Sequence, residues 1–190
     1  LHDDERPVER ASTDMLDMDR IDDYIRKNRI ARPRFAQLSD QQVYESLHLM
    51  QKGVPTLAAV MNFGIYPQAF FPQLAITAIV VPGTAIGDTA PDGARFLDNK
   101  RIEGTLLEML EESIAFCARN MKARTIIDLK TGRHVERTEY PLGAIREAVL
   151  NALIHRDYSH YTEGTPVQID FFTDRLEIRS PGGLYGRMTV

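Results

Sequence analysis

Residues 141–183 read "PLGAIREAVLNALIHRDYSHYTEGTPVQIDFFTDRLEIRSPGG", and a change of period inside this stretch decides the fold class. Up to Asp157 the apolar residues recur at helical spacing. At 100° per residue Ile145, Val149, Ala152 and Leu153 share one side of a helix over 141–157, opened by Pro141. From Thr165 onward the period drops to two. The alternation in "VQIDFF" and "LEI" predicts strands at 166–172 and 175–180, turning through Thr173 and Asp174.

Working outward, "RTIIDLKTGRHVERTEYP" reads as a hairpin about Thr131-Gly132. "TLLEMLEESIAFCARNM" is an amphipathic helix. Leu106, Leu110, Ile114 (or Ser113), Cys117 and Met121 face inward, and Glu108, Glu111 and Glu112 stay wet. Cys117 is therefore a core residue rather than a nucleophile. The apolar run "LAITAIVVPG" at 74–83 is a buried strand stopped by Pro82-Gly83, and "ARFLDNKRIEG" a further extended stretch. Three short helices are expected before the first strand. "DMDRIDDYIRKNRI" packs through Met18, Ile21, Tyr24 and Ile25. "LSDQQVYESLHLMQKG" is capped by Ser39, carries Val43, Leu47 and Met50 on a stripe and stops at Gly53. "VPTLAAVMNFG" begins at Pro55 and ends at Gly64. Helices and strands mix without βαβ regularity, so the fold class is α+β, a layered α/β sandwich with a mixed sheet, preceded by short helices. The expected organisation is a connecting segment at 1–16, a helical region at 17–72 and the sandwich at 73–190.

The 190 residues are 43% hydrophobic and 26% charged, ordinary for one domain, or one domain with a helical appendage. A net charge of −4 gives no overall footprint for wrapping nucleic acid, so DNA contact is expected from a local patch or from flanking domains outside this chain. A single cysteine excludes an internal disulfide and makes a reducing, cytoplasmic setting the default. The longest apolar run is too short to span a bilayer, and no export signal is visible. A start at Leu1 and an end at "GRMTV" are what an excised middle piece of a longer protein would have.

Opposite the apolar side of the 141–157 helix, Glu147, Asn151, His155 and Tyr158 line up at spacings of four, four and three. A solvated polar face is the plain account of such a stripe. Ala148, Leu150 and Ile154 flank it, however, which predicts a helix sandwiched between layers. Polar groups placed there need partners, and a carboxylate beside an amide finds one in a hydrated metal ion.

"EAVLNALIHRDYS", followed about twenty residues later by "DRLEIRSPGGL", resembles the C-terminal region of RecG-related ATP-dependent DNA helicase proteins and of transcriptional regulators of the Schlafen AlbA type. That region is regarded as a divergent GHKL, or histidine-kinase-like, ATPase domain. Pro141, Ala144, Arg146, Glu147, Ala148, Asn151, Ala152, His155, Arg156, Asp157 and Tyr158 fit the pattern, and "PTLAAVMNFGIYPQAFFPQ" resembles an upstream stretch of the same proteins. The resemblance covers roughly residues 12–186, with the GHKL-like part at 139–190. It implies that Glu147 orients or deprotonates an attacking water and that Asn151 offers its amide oxygen to Mg²⁺ on the triphosphate of ATP. His155 and Arg156 would hold phosphates or anchor the helix end. The family's second element is Asp-x-Gly-x-Gly, whose Asp reads adenine. Here Ser180 stands in that place with Gly182 and Gly183 after it, so a hydroxyl replaces the carboxylate. The implied role is a nucleotide-binding regulatory domain with weak ATP hydrolysis or none; the alternative is an inactive scaffold for homodimerisation and coupling to DNA-binding domains.

Three decoys fail. "HRD" at 155–157 lacks the Asn five residues on and the Asp-Phe-Gly of a protein kinase. His134, His155 and His160 lack a zinc-site spacing. No Gly-x-x-x-x-Gly-Lys-Ser/Thr occurs, so no helicase motor motif is present.

Overall fold

The computed structural model describes residues 3–127 and 134–183. The fold is α+β: five helices, a four-stranded mixed sheet and two separate antiparallel strand pairs are formed by the described residues. The Thr131-Gly132 turn lies outside them.

The chain divides into two compact units. The first comprises Leu1–Leu74, Glu103–Glu108 and Tyr158–Gly164; the second comprises Ala75–Ile102, Met109–Asp157 and Thr165–Val190. In the first unit, helices α1 (Met18–Ala31), α2 (Asp40–Ser46) and α3 (Leu57–Phe63) each begin at a side-chain cap. Asp17 accepts from the Arg20 amide at 3.1 Å, and Thr56 from the Ala59 amide at 3.1 Å. Ser39 and Gln42 form a reciprocal box in which each side chain caps the other's backbone. Ile21, Val43, Leu57, Val60, Met61 and Leu74 are almost fully buried and supply the core of this unit. Burying each side chain of that size contributes roughly 1.5–3 kcal/mol.

Helix α2 is shorter than its periodicity predicts. It stops at Ser46, His48 turns to φ 53°, and the pair Lys52-Gly53, at φ 52° and 81°, makes the tight loop of a small hairpin between β1 (Met50–Gln51) and β2 (Val54–Pro55). Positive φ at both loop residues matches the twist of a two-residue hairpin, so Gly53 serves a turn and Met50 a strand.

In the second unit the sheet runs in the order β4 (Asp98–Ile102), β3 (Ile76–Val80), β7 (Val167–Phe171), β8 (Leu176–Arg179). The inner pair β3–β7 is parallel, with Ile76 opposite Val167 and Ala78 opposite Ile169; both outer pairings are antiparallel. Helix α4 (Leu106–Asn120) buries Met109, Leu110, Ser113, Phe116 and Cys117, a stripe turned slightly from the expected one. Cys117 is buried as expected, and its burial pushes the thiol up to about 11. Among the described residues, strands β5 (Ala123–Ile127) and β6 (His134–Thr138) pair only with each other. Helix α5 (Leu142–Ile154) buries Ile145, Val149, Ala152 and Leu153, the apolar side read from the sequence.

Candidate functional site

Helix α5 carries most of the residues singled out by the sequence. It starts without a side-chain cap, Pro141 supplying a preset φ of −63°, and it ends at Ile154, with His155 as its C-cap. Tyr158 therefore lies beyond the helix and is not part of the stripe. Glu147 and Asn151 are both exposed, one turn apart, and the Asn151 Nδ2 donates to Glu147 Oε1 at 3.2 Å. That bond uses the amide nitrogen and leaves the amide oxygen Oδ1 free to accept.

The expected sandwiching of α5 between layers is not found among the described residues. Ala144, Ala148 and Ile154 are exposed, Ile154 at 53%. The reason is the narrow arc of burial: only the side formed by Ile145, Val149, Ala152 and Leu153 is covered, so apolar residues beside Glu147 and Asn151 face solvent.

The C-terminal end of α5 is where the two sequence motifs meet. A helix end leaves carbonyls without amide partners; here the Ser180 hydroxyl donates to the Ala152 carbonyl at 2.8 Å. The Asp157 amide donates to the Pro181 carbonyl at 2.9 Å, and Gly182, at φ +119°, packs against Asp157. "HRD" and "SPGG" are thus one local structure. Arg156 is 5% exposed and its Nη2 donates to the Thr165 carbonyl at 3.0 Å, tying the helix end to the approach to β7. His155 is exposed, its amide bonded to the Asn151 carbonyl at 2.9 Å. Gly183 is exposed, with open space where a side chain would stand.

Sequence reasoning missed the part played by Asp157, which it met as a motif residue and as part of a kinase-like decoy but gave no structural partner in the 180–183 loop. It also missed the pairing of buried Asp170 on β7 with Arg179 on β8, and the stacking of Arg175 over the Phe172 ring at 4.0 Å. The demand for glycine at 182 was the available signal for the first of these.

Glu147 and Asn151 offer one carboxylate and one amide oxygen on an open face. This hard-oxygen set suits Mg²⁺, which keeps several of its waters and takes few protein ligands. Among the described residues no group of three or more His, Cys, Asp or Glu is placed to hold a metal. No helix there is long and apolar enough to cross a membrane.

Fold and site together define an α+β domain whose exposed helix carries a Glu-x-x-x-Asn pair, with a glycine-bearing loop docked on that helix's end. Residues 164–190 match the family model described as "Putative ATP-dependent DNA helicase recG C-terminal". The crystal structure of the DIP2311 protein from Corynebacterium diphtheriae aligns with a TM-score of 0.59 at 23% identity, covering 98% of this chain and 35% of that one. The chain thus shares a fold with about a third of that larger protein. No curated protein matches the sequence.

Proposed function

We propose that this chain is a nucleotide-binding regulatory domain that takes Mg-ATP at the exposed face of α5. The observation that carries the reading is the Glu147–Asn151 pair, hydrogen-bonded one turn apart on an open helix face, with the Asn151 amide oxygen left free. The RecG C-terminal match over 164–190 supports it from an independent part of the chain. In this reading Asn151 would help hold Mg²⁺ through its amide oxygen and Glu147 would orient a water, the bound Mg-ATP supplying the phosphoryl group for hydrolysis. Ser180 has its proton engaged by Ala152, so its lone pairs remain to accept from an exocyclic amino group of the base. Arg156, buried and bonded to backbone, positions the helix end rather than reaching a phosphate.

The test is thermal melting of the full-length protein with and without Mg-ATP. Saturation at about ten times Kd would add about 1.4 kcal/mol, a rise of a few degrees, and Asn151→Ala should abolish it. No shift at millimolar nucleotide sinks the reading.

Ser180 in place of a base-reading carboxylate favours a second reading, an inactive scaffold for homodimerisation that couples flanking DNA-binding domains. Glu147→Gln and Asn151→Ala would then leave promoter binding intact, whereas Val149→Asp, a charge placed at a fully buried position, would not.

A further inference from the structure

Between Arg26 and Arg34 the chain carries five cations, Arg26, Lys27, Arg29, Arg32 and Arg34, and no acid. The rest of the molecule has 18 basic side chains against 27 acidic ones, so this stretch is a local exception to an acidic whole. The structure gathers it at one end of α1. The helix stops at Ala31, Arg32 is extended before Pro33, and the chain folds straight back, with the Phe35 and Ala36 amides donating to the Arg32 carbonyl at 2.9 and 3.2 Å. Arg32 and Arg34 therefore stay close to the last two turns of the helix, which carry Arg26, Lys27 and, in the final turn, Arg29.

The engagement of these cations is uneven. Arg26 and Lys27 pair with Asp23, and Arg29 with Asp40 and the Leu38 carbonyl, in ion pairs that are all at least partly open to solvent. Arg32 and Arg34 are exposed and form no ion pair among the described residues. Next to them Ile25, Ile30, Ala36 and Tyr44, together with the carboxylates Asp22 and Asp40, line a cleft of about 500 Å³, and Ile30 is 76% exposed. Cations in a last helical turn complement the helix dipole. That effect ends with the turn and gives no role to Arg34, which lies beyond it.

We propose that the end of α1 and its 32–38 return loop bind the phosphate backbone of a nucleic acid. Four of the five cations are arginine, whose planar fork matches phosphate oxygens. Carboxylates already serve Arg26, Lys27 and Arg29, so a partner that displaces them must carry a higher charge density, as a nucleic-acid backbone does. Exposed ion pairs of this kind are weak and exchange readily. Binding here is independent of the nucleotide reading of α5, since none of its residues is shared.

The test is fluorescence anisotropy of this chain with a labelled duplex of about 25 base pairs and arbitrary sequence, repeated from about 50 to 200 mM NaCl. Expected is binding that weakens with salt. The double variant Arg32→Glu/Arg34→Glu should lower the log–log salt slope by about 2, on the order of one unit for each phosphate left without its arginine, and weaken binding at least tenfold at low salt. Its melting temperature should match the parent's, because both side chains are exposed. Absence of binding at about 50 mM salt, equal binding by the double variant, or displacement of the duplex by poly-glutamate at equal charge each overturns the proposal, the last in favour of an acidic protein partner.

Discussion

Gly182 is held by two constraints at once. Its φ is +119°, and a Cβ there would lie 3.0 Å from the Asp157 Cβ and 3.2 Å from the Asp157 nitrogen. Gly182→Ala is therefore expected to destabilise by about 1–3 kcal/mol, through strain and through loss of the Asp157–Pro181 bond. Gly183→Ala meets nothing within 4 Å and should stay within about 0.5 kcal/mol of the parent. Urea unfolding of the two variants separates the cases, and equal midpoints would refute the docking of this loop. The sequence marks both glycines alike; only the position of Asp157 distinguishes them. Gln68 makes the same point in the other unit. It is buried, donates to the Leu74 and Gly104 carbonyls at 2.8 and 3.0 Å, and accepts from the Gly104 amide at 2.9 Å. Its partner at 104 is too distant in sequence for any local pattern to reveal.

Among the elements, α4 shows how a short motif sets a helix start. The Thr105 amide and hydroxyl both donate to Glu108 Oε2, at 2.7 and 2.8 Å, while the Glu108 amide approaches Thr105 Oγ1 at 3.4 Å. The backbone bond from Thr105, then its hydroxyl, holds the Glu108 carboxyl below its ordinary 4.5. A depressed folded-state pKa contributes stability above the unfolded value and loses it as pH falls through the folded one. Glu108→Gln keeps an acceptor but not the charge. It should be less stable than the parent at neutral pH, and the gap should close as pH drops below 4.5. Unfolding midpoints measured across that range check this, and a gap that persists in acid contradicts it. Helix α5 was legible in its buried side and in the Glu147–Asn151 part of its polar stripe, because both follow from a 100° step. Its end was not. The helical period continues through "HRDY", whereas the helix ends at Ile154, where the Ser180 hydroxyl takes up the Ala152 carbonyl and Pro181 the Asp157 amide.

For the whole molecule, the order β4-β3-β7-β8 places two strands inside and two at the edges. Ala78 on β3 and Ile169 on β7 are fully buried and opposite one another. Their amides should exchange with solvent at close to the global unfolding rate, while those of the isolated β5–β6 pair exchange faster. Hydrogen exchange read by mass spectrometry decides this, and comparable protection of β5–β6 would contradict the observed sheet order. The strands themselves were legible from alternation and apolar runs. Their order was not, because a parallel pairing of 76–80 with 167–171 is a contact between segments that share no local signal.

Whatever repeats within a few residues could be read from the chain alone: the α+β class, the buried sides of α4 and α5, the cap at Ser39, and the Glu147–Asn151 spacing. Tertiary structure alone decided that Ser180 serves the Ala152 carbonyl, that Gly182 rests on Asp157, that Arg156 is buried against Thr165, and that the outer side of α5 is open. The physical reason is range. Dihedral preference and side-chain period act along the chain, whereas hydrogen-bond satisfaction and burial are settled by whichever distant segment packs there.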